Sequence, residues 1–247
     1  MEPTRRTVVA GAVAATAIGV ADLVGGPSAQ AFGSGGLLSP TPVPTNQVPA
    51  LRYGSRGPSV TALQQRLNAL GYWVGPANGT FGLLTRQGVW ALQKAAGLTR
   101  TGILTPATHS ALARGVRPVP RTRTGTVLEI DKGRQLLLVV VGGRLRYALN
   151  TSTGGGFWYR SGSGLARATT PTGHFSIYSR YTAGWQNGVL GAMWRPTYFY
   201  RGWAIHGSSE VPPYPASHGC ARVRPDAMDM LYAGGWVPVG RSVYVYE

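Results

Sequence analysis

The apolar residues of this chain change their repeat period once, at a stiff break. Upstream, Val60, Leu63, Leu67 and Leu70 recur at three- and four-residue intervals, the spacing of one helix face. Downstream, Val127 to Ile130, Leu136 to Val141 and Leu145 to Thr151 are β-rich runs. Between them Val116 to Thr124 holds Pro118, Pro120 and three arginines, and reads as a semi-rigid linker. The expected fold class is therefore α+β: a small three-helix bundle over residues 51–115, a Pro/Arg-rich linker at 116–123, and a mostly β, sandwich-like domain over 124–247. Few contacts are expected to cross such a linker, so the two parts should behave independently.

Local signals sharpen this outline. Gly71 is placed to end the first helix. Thr85 is a candidate cap for a second helix, with Val89, Leu92 and Ala96 on its apolar face and Gly97 after it. Thr105-Pro106 pairs an N-cap with proline at the first helical position, and Gly115 closes that third helix. Gly79-x-Phe81-Gly82-x-x-Thr85 recurs as Gly102-x-Leu104-Thr105-x-x-Thr108, twenty-three residues later. In the β part, Gly142-Gly143 is a two-residue turn. Further strands are expected at His174 to Tyr178, Gly202 to His206 and Ser242 to Tyr246. One helix is expected from Pro225 to Tyr232, with Asp226 in its first turn and Gly234 after it.

The N-terminus points to export. Thr4-Arg5-Arg6-Thr7 is a basic head, Val8 to Val20 is apolar and small, and Ala29-Gln30-Ala31 matches a small-residue cleavage signal. Residues 1–31 read as a secretory signal peptide, by the twin-arginine or the Sec route, with the mature chain starting at Phe32 and keeping no transmembrane anchor. Residues 32–50 are rich in Gly, Pro, Ser and Thr and read as a linker. Removing Glu2, Arg5, Arg6 and Asp22 leaves the formal charge at +16. That sign suits anionic cell-wall polymers or a membrane surface. No basic run with interleaved aromatics marks a nucleic-acid site.

Cys220 is the only cysteine, so an internal disulfide is excluded, and an unpaired thiol in an exported chain suggests reactivity. His206 and His218 lie within fourteen residues of it. Three readings compete: a cysteine nucleophile with a histidine base, a zinc site, and a structural turn with satisfied histidines. A structural zinc site lacks a fourth ligand, and His218-x-Cys220 is an uncommon pairing for zinc.

The helical segment resembles a known family. Tyr53-Gly54-Ser55-Arg56-Gly57, Leu63-Gln64-x-x-Leu67, Leu70-Gly71-Tyr72, Asn78-Gly79-x-Phe81-Gly82-x-x-Thr85, Leu92-Gln93 and Gly97-Leu98 are similar to the three-helix peptidoglycan-binding domain. Asn78 departs from the aspartate usual there. The resemblance implies non-covalent docking on the cell wall.

The C-terminal part carries a second resemblance. Ile130-Asp131 with Gln135-x-Leu137, Ser152-Thr153-Gly154, Thr170-Pro171-Thr172-Gly173-x-Phe175-x-Ile177, Ile205-His206-Gly207 and Ser217-His218-Gly219-Cys220-Ala221-Arg222 occur in the order of the YkuD-type L,D-transpeptidase catalytic domain. Ala221 replaces a larger aliphatic residue, and the ten residues between His206 and Ser217 make a short loop. The resemblance implies Cys220 as nucleophile, His206 as general base, and the Gly207 carbonyl as orienter of the imidazole. Gly219 and Cys220 N–H groups would form the oxyanion hole. Ser217 and His218 would shape the site, and Arg222 would bind a substrate carboxylate or pair with Asp226 or Asp229. No cofactor and no metal is implied. The implied partners are peptidoglycan stem peptides and glycan, outside the cytoplasm, for a monomer. The implied reaction attacks the bond after the third residue of a tetrapeptide stem, releases D-alanine and passes the acyl group to an amine. An L,D-carboxypeptidase with water as acceptor and a non-catalytic wall-binding protein are the alternatives.

One further stretch bears on the site. Tyr181, Trp185, Trp194, Tyr198, Phe199, Tyr200 and Trp203, spaced by glycines, form either a flap over a cleft or part of the β core.

Overall fold

The structure, a computed structural model, describes residues 50–162 and 164–247. The expected leader at 1–31 and nearly all of the 32–50 linker lie outside the described residues. Three helices come first: α1 (Pro58–Ala69), α2 (Leu83–Ala95) and α3 (Pro106–Ala113). Proline at the start of α1 and α3 supplies a preset φ where no intrahelical N–H bond is needed. Thr105 Oγ1 accepts the Thr108 N–H at 3.3 Å and caps α3. Thr85 does not cap α2. That helix starts behind Gly82, and Thr85 is buried in its first turn, accepting from Gln64 Nε2 at 2.9 Å.

The internal echo has a physical basis. Gln64 Nε2 donates to Asn78 Oδ1 and to the Thr80 carbonyl, and Gln64 Oε1 accepts the Gly79 N–H. Gln93 does the same for the second turn, donating to the Ile103 carbonyl and to Thr101 and Thr108, and accepting the Gly102 N–H. Each turn is fastened to a buried glutamine of the preceding helix, which satisfies backbone groups that the turn would otherwise leave unpaired.

The β part follows as β1 (Thr126–Asp131), β2 (Leu136–Val141), β3 (Arg144–Asn150), β4 (Trp158–Ser161), β5 (Gly164–Arg167), β6 (Gly173–Ser176), β7 (Ser179–Arg180), β8 (Trp185–Gly188), β9 (Gly191–Tyr200), β10 (Trp203–Gly207), β11 (Ala221–Val223), then α4 (Pro225–Ala233) and β12 (Ser242–Tyr246). A five-stranded sheet runs β3-β2-β1-β12-β6, and a second runs β11-β10-β9-β7 with β8 on β9. The β4–β5 pair is a separate ribbon. β1–β12 and β10–β11 are parallel pairs. Gly142 and Gly143, at φ 55° and 76°, make the primed two-residue turn between β2 and β3.

The five-stranded sheet is covered on both faces. Leu137, Val139, Ile130 and Val243 face the second sheet and α4, where they meet Ile205, Val223, Met228 and Leu231. Leu136, Leu138, Val140 and Ala148 face the other way, into one apolar cluster with Leu63, Leu67, Val89 and Leu92 of the helices. The expectation that few contacts cross residues 116–123 is therefore overturned. Polar contacts reinforce the seam. Buried Lys94 donates Nζ to the carbonyls of Gln135 (2.7 Å) and Thr151 (3.1 Å) and to Asn150 Oδ1. The Ala148 N–H donates to the Gly71 carbonyl at 2.9 Å. Gly71 combines φ 87° with an approach that would set a Cβ 2.9 Å from the Arg146 carbonyl oxygen, so only glycine fits there.

The Pro/Arg segment is also pinned. The buried Glu129 carboxylate accepts the N–H groups of Arg121 (3.1 Å) and Thr122 (2.7 Å) and the hydroxyls of Thr122 and Tyr246. Tyr72 hydroxyl donates to the Val116 carbonyl at 2.9 Å.

Candidate active site

The nucleophile candidate sits just before β11, at the end of a loop whose shape is set by hydrogen bonds. Ser217 Oγ accepts the Gly219 N–H (3.0 Å) and donates to the Cys220 carbonyl (2.6 Å). Thr170 Oγ1 donates to the Gly219 carbonyl (2.6 Å) and accepts the Gly154 N–H (2.9 Å). Gln135 exchanges two bonds with Thr153, whose carbonyl accepts the N–H groups of Ala216 and Ser217. The scattered sequence motifs thus converge on one turn. Gly219 has φ 143°, and a Cβ there would lie 2.5 Å from Trp203 Nε1 and 2.8 Å from the Thr169 carbonyl oxygen.

His206 lies on β10, and its register partner on β11 is Arg222. Its Nδ1–H donates to the Gly207 carbonyl at 2.9 Å, leaving Nε2 as the unprotonated nitrogen of the neutral ring. Cys220 Sγ accepts the Ala204 N–H at 3.4 Å and donates to the Gly202 carbonyl at 3.8 Å. The resting thiol is therefore bonded to the β10 backbone and not to His206. Cys220, His206, His218, Ser217, Gly219 and Arg222 all line one cavity of about 480 Å³. Gly207 lies behind it, holding the imidazole.

Burial governs the electrostatics. It lowers the His206 pKa to about 4, partly offset by the Gly207 bond, and the Arg222 charge lowers it further. Burial raises the Cys220 thiol, while the Ala204 N–H and Arg222 pull it down. Both directions favour thiol and neutral imidazole at neutral pH. His218 is also lowered by burial and by Arg222. Its ring is held edge-on by Tyr159 at 4.7 Å and Phe157 at 5.2 Å.

The resemblance implies a Gly219 N–H in the oxyanion hole. That N–H is committed to Ser217 Oγ, so the glycine acts through its conformation. Arg222 forms no ion pair with Asp226 or Asp229. Asp229 bonds Arg195 (3.0 Å) and Trp194 Nε1 (2.8 Å), and Asp226 lies 4.0 Å from Arg224. The aromatic stretch divides between core and rim. Phe199 is buried in the core, whereas Trp203 lines the cavity together with the aliphatic pair Val189 and Leu190 of the β8–β9 tip, Val189 being 96% exposed. Tyr159 and this apolar tip were not anticipated. Gly188-Val189-Leu190-Gly191, an apolar pair between glycines, was the available signal.

Two family models match the chain: "Putative peptidoglycan binding domain" over residues 56–112 and "L,D-transpeptidase catalytic domain" over 125–245. A solved L,D-transpeptidase (residues 123–326) from Xylanimonas cellulosilytica is 48% identical, with TM-score 0.77, over 80% of this chain and 97% of that one. The chain belongs to the L,D-transpeptidase family. An L,D-transpeptidase from Stackebrandtia nassauensis is 20% identical over 80% of this chain and 95% of its own, with TM-score 0.44. One from Mycobacterium smegmatis is 17% identical over 49% and 58%, with TM-score 0.39. A search of curated proteins found no match. Among the described residues of this family member, no helix is long and apolar enough to cross a membrane.

Proposed function

We propose that this chain is an exported peptidoglycan L,D-transpeptidase with Cys220 as its nucleophile. The observation that carries the reading is the placement of Cys220 and His206 at the ends of two adjacent parallel strands, facing one cavity, with His206 Nδ1 tied to a backbone carbonyl. That tie presents an unprotonated Nε2, ready to accept a proton. The thiol proton passes to Nε2 as sulfur attacks the carbonyl carbon of the third residue of a tetrapeptide stem. The Cys220 N–H is the candidate donor to the tetrahedral oxyanion. Collapse breaks the C–N bond, and the imidazolium returns its proton to the departing D-alanine amine. An amine acceptor then gives a proton to His206, attacks the thioester and releases the thiol. Each proton is returned, so no cofactor is consumed.

Arg222 forms no ion pair with Asp226 or Asp229, though the Glu210 carboxylate acts on it, and it is the candidate ligand for a substrate carboxylate. Ser217 and His218 shape the wall. Residues 51–115 would dock on the glycan, and residues 1–31 would direct export. Incubation of the full chain with disaccharide-tetrapeptide, followed by mass spectrometry, tests the reaction. Cross-linked dimers with released D-alanine support transfer. Tripeptide alone would make the enzyme an L,D-carboxypeptidase, and neither product would leave a wall-binding protein.

A further inference from the structure

A second cleft, of about 600 Å³, lies between α2 and the loop from Ser209 to Tyr214, and the reaction above does not use it. It adjoins the cysteine cavity: Ser209, Glu210 and Arg222 line both. Its remaining walls include Arg86, Trp90 and Arg224. The Arg86 guanidinium lies 4.8 Å from the Trp90 ring centroid, a cation–π contact that fixes its position. Arg86 Nε, Trp90 Nε1 and Arg224 Nε are buried without a hydrogen-bond partner. Those atoms are enclosed by protein, Trp90 Nε1 lying against Gly102, so they are not themselves open to a ligand in the cleft.

The loop offers little of its own. Gln87 and Asn150 occupy the Val211 carbonyl, Arg100 the Pro213 carbonyl and Ser152 the Tyr214 carbonyl. Recognition there falls to the cationic side chains, which select an anion. Arg224 is bonded to the Ser209 carbonyl and lies by Asp226, so two guanidinium groups, Arg86 and Arg222, remain in the cleft beside one carboxylate, Glu210. That carboxylate, at the junction of the two cavities, opposes a polyanion but tolerates a single carboxylate flanked by amides or an ammonium. We propose that the cleft is a second binding site for a carboxylate-bearing peptide, held by Arg86 and Arg222 and led past Glu210 towards Cys220. Only the peptide's identity, a wall stem, rests on the transpeptidase reading.

The test uses the full chain with Cys220→Ala, which performs no chemistry. Disaccharide-tetrapeptide with free carboxylates is titrated calorimetrically, alongside the same compound with its carboxylates amidated. Arg86 lies outside the cysteine cavity, so its variants report on the cleft. Arg86→Gln should weaken binding of the free acid about tenfold, the scale of one charge-assisted contact. Arg86→Lys should weaken it less, and amidation should cost the parent at least as much as Arg86→Gln does, since it also removes the Arg222 contact. Leu83→Glu, at an exposed position on the rim, should also weaken binding without disturbing the core. Equal affinity for free and amidated probes, or unchanged affinity in both Arg86→Gln and Leu83→Glu, would overturn the site. So would a glycerol-phosphate oligomer that binds more tightly than the tetrapeptide. A wild-type chain that forms no thioester would sink the transferase reading and leave this one intact.

Discussion

At the residue scale, burial sets the ionisation of both reacting groups, and pH profiles follow from it. The Cys220 thiol is raised, so its alkylation by iodoacetamide should inflect above the usual thiol value of 9.0. Arg222→Gln should push the inflection higher, because the lost charge favoured the thiolate. An inflection near neutrality would show that the resting pair is thiolate and imidazolium. His206 is lowered from 6.5 to about 4, so the unfolded chain binds more protons between those values. Folding stability should therefore fall as pH drops from 6.5 to about 4, by about 3 kcal/mol. Chemical denaturation across that range, with His206→Asn as the flattened control, checks the sign. Cys220→Ala and Cys220→Ser should abolish turnover in folded protein. His206→Ala should slow acylation about 10²–10⁴-fold, with a milder effect for His218→Ala. Intact-mass detection of a carbapenem adduct separates these cases, and an adduct on Cys220→Ala would remove the nucleophile assignment.

At the element scale, the β8–β9 hairpin puts Val189 and Leu190 over the cysteine cavity, outside the packed core. Leu190→Ser should raise the donor KM and leave the melting temperature unchanged. A matching fall in both stability and activity would make the tip part of the core. How much of this was readable in advance follows from how local each signal is. Capping by Thr105, the Gly142-Gly143 turn and the apolar runs of β2 and β12 depend on neighbours in sequence, and their positions were legible. Thr85 misled because its side chain answers a distant glutamine, Gln64, and not its own helix. β4, β5 and β8 are short and half-exposed, with no alternation to reveal them. The candidate site residues, which the structure gathers at one cavity, stand out as a motif because the Gly219 turn admits few sequences. The Ser217 claim on the Gly219 N–H is a matter of hydroxyl geometry, which sequence does not carry.

At the scale of the whole molecule, the apolar cluster shared by the helices and β2 makes folding a joint event. Leu136, Leu138 and Val140 would be bared in a fragment of residues 116–247, so that fragment should aggregate or melt well below the full chain. The full chain should show one calorimetric transition, and two separated transitions would contradict the shared core. Lys94→Ala would orphan Asn150 Oδ1 and remove a donor from the Thr151 carbonyl and from the Gln135 carbonyl, which keeps the Thr151 N–H, and should cost about 2–4 kcal/mol in denaturant titration. The continuous apolar run of β2 was the sequence trace of this arrangement, since a strand buried on both faces loses its alternation. The same seam bears on the wall itself. On the proposed function, a part that docks on a glycan strand and a part that stitches peptides, fused through a common interior, would have no swivel between them. The thiol would then visit only stems at one fixed offset from the grip, and the enzyme would work as a rigid gauge that rules the spacing of the mesh it closes.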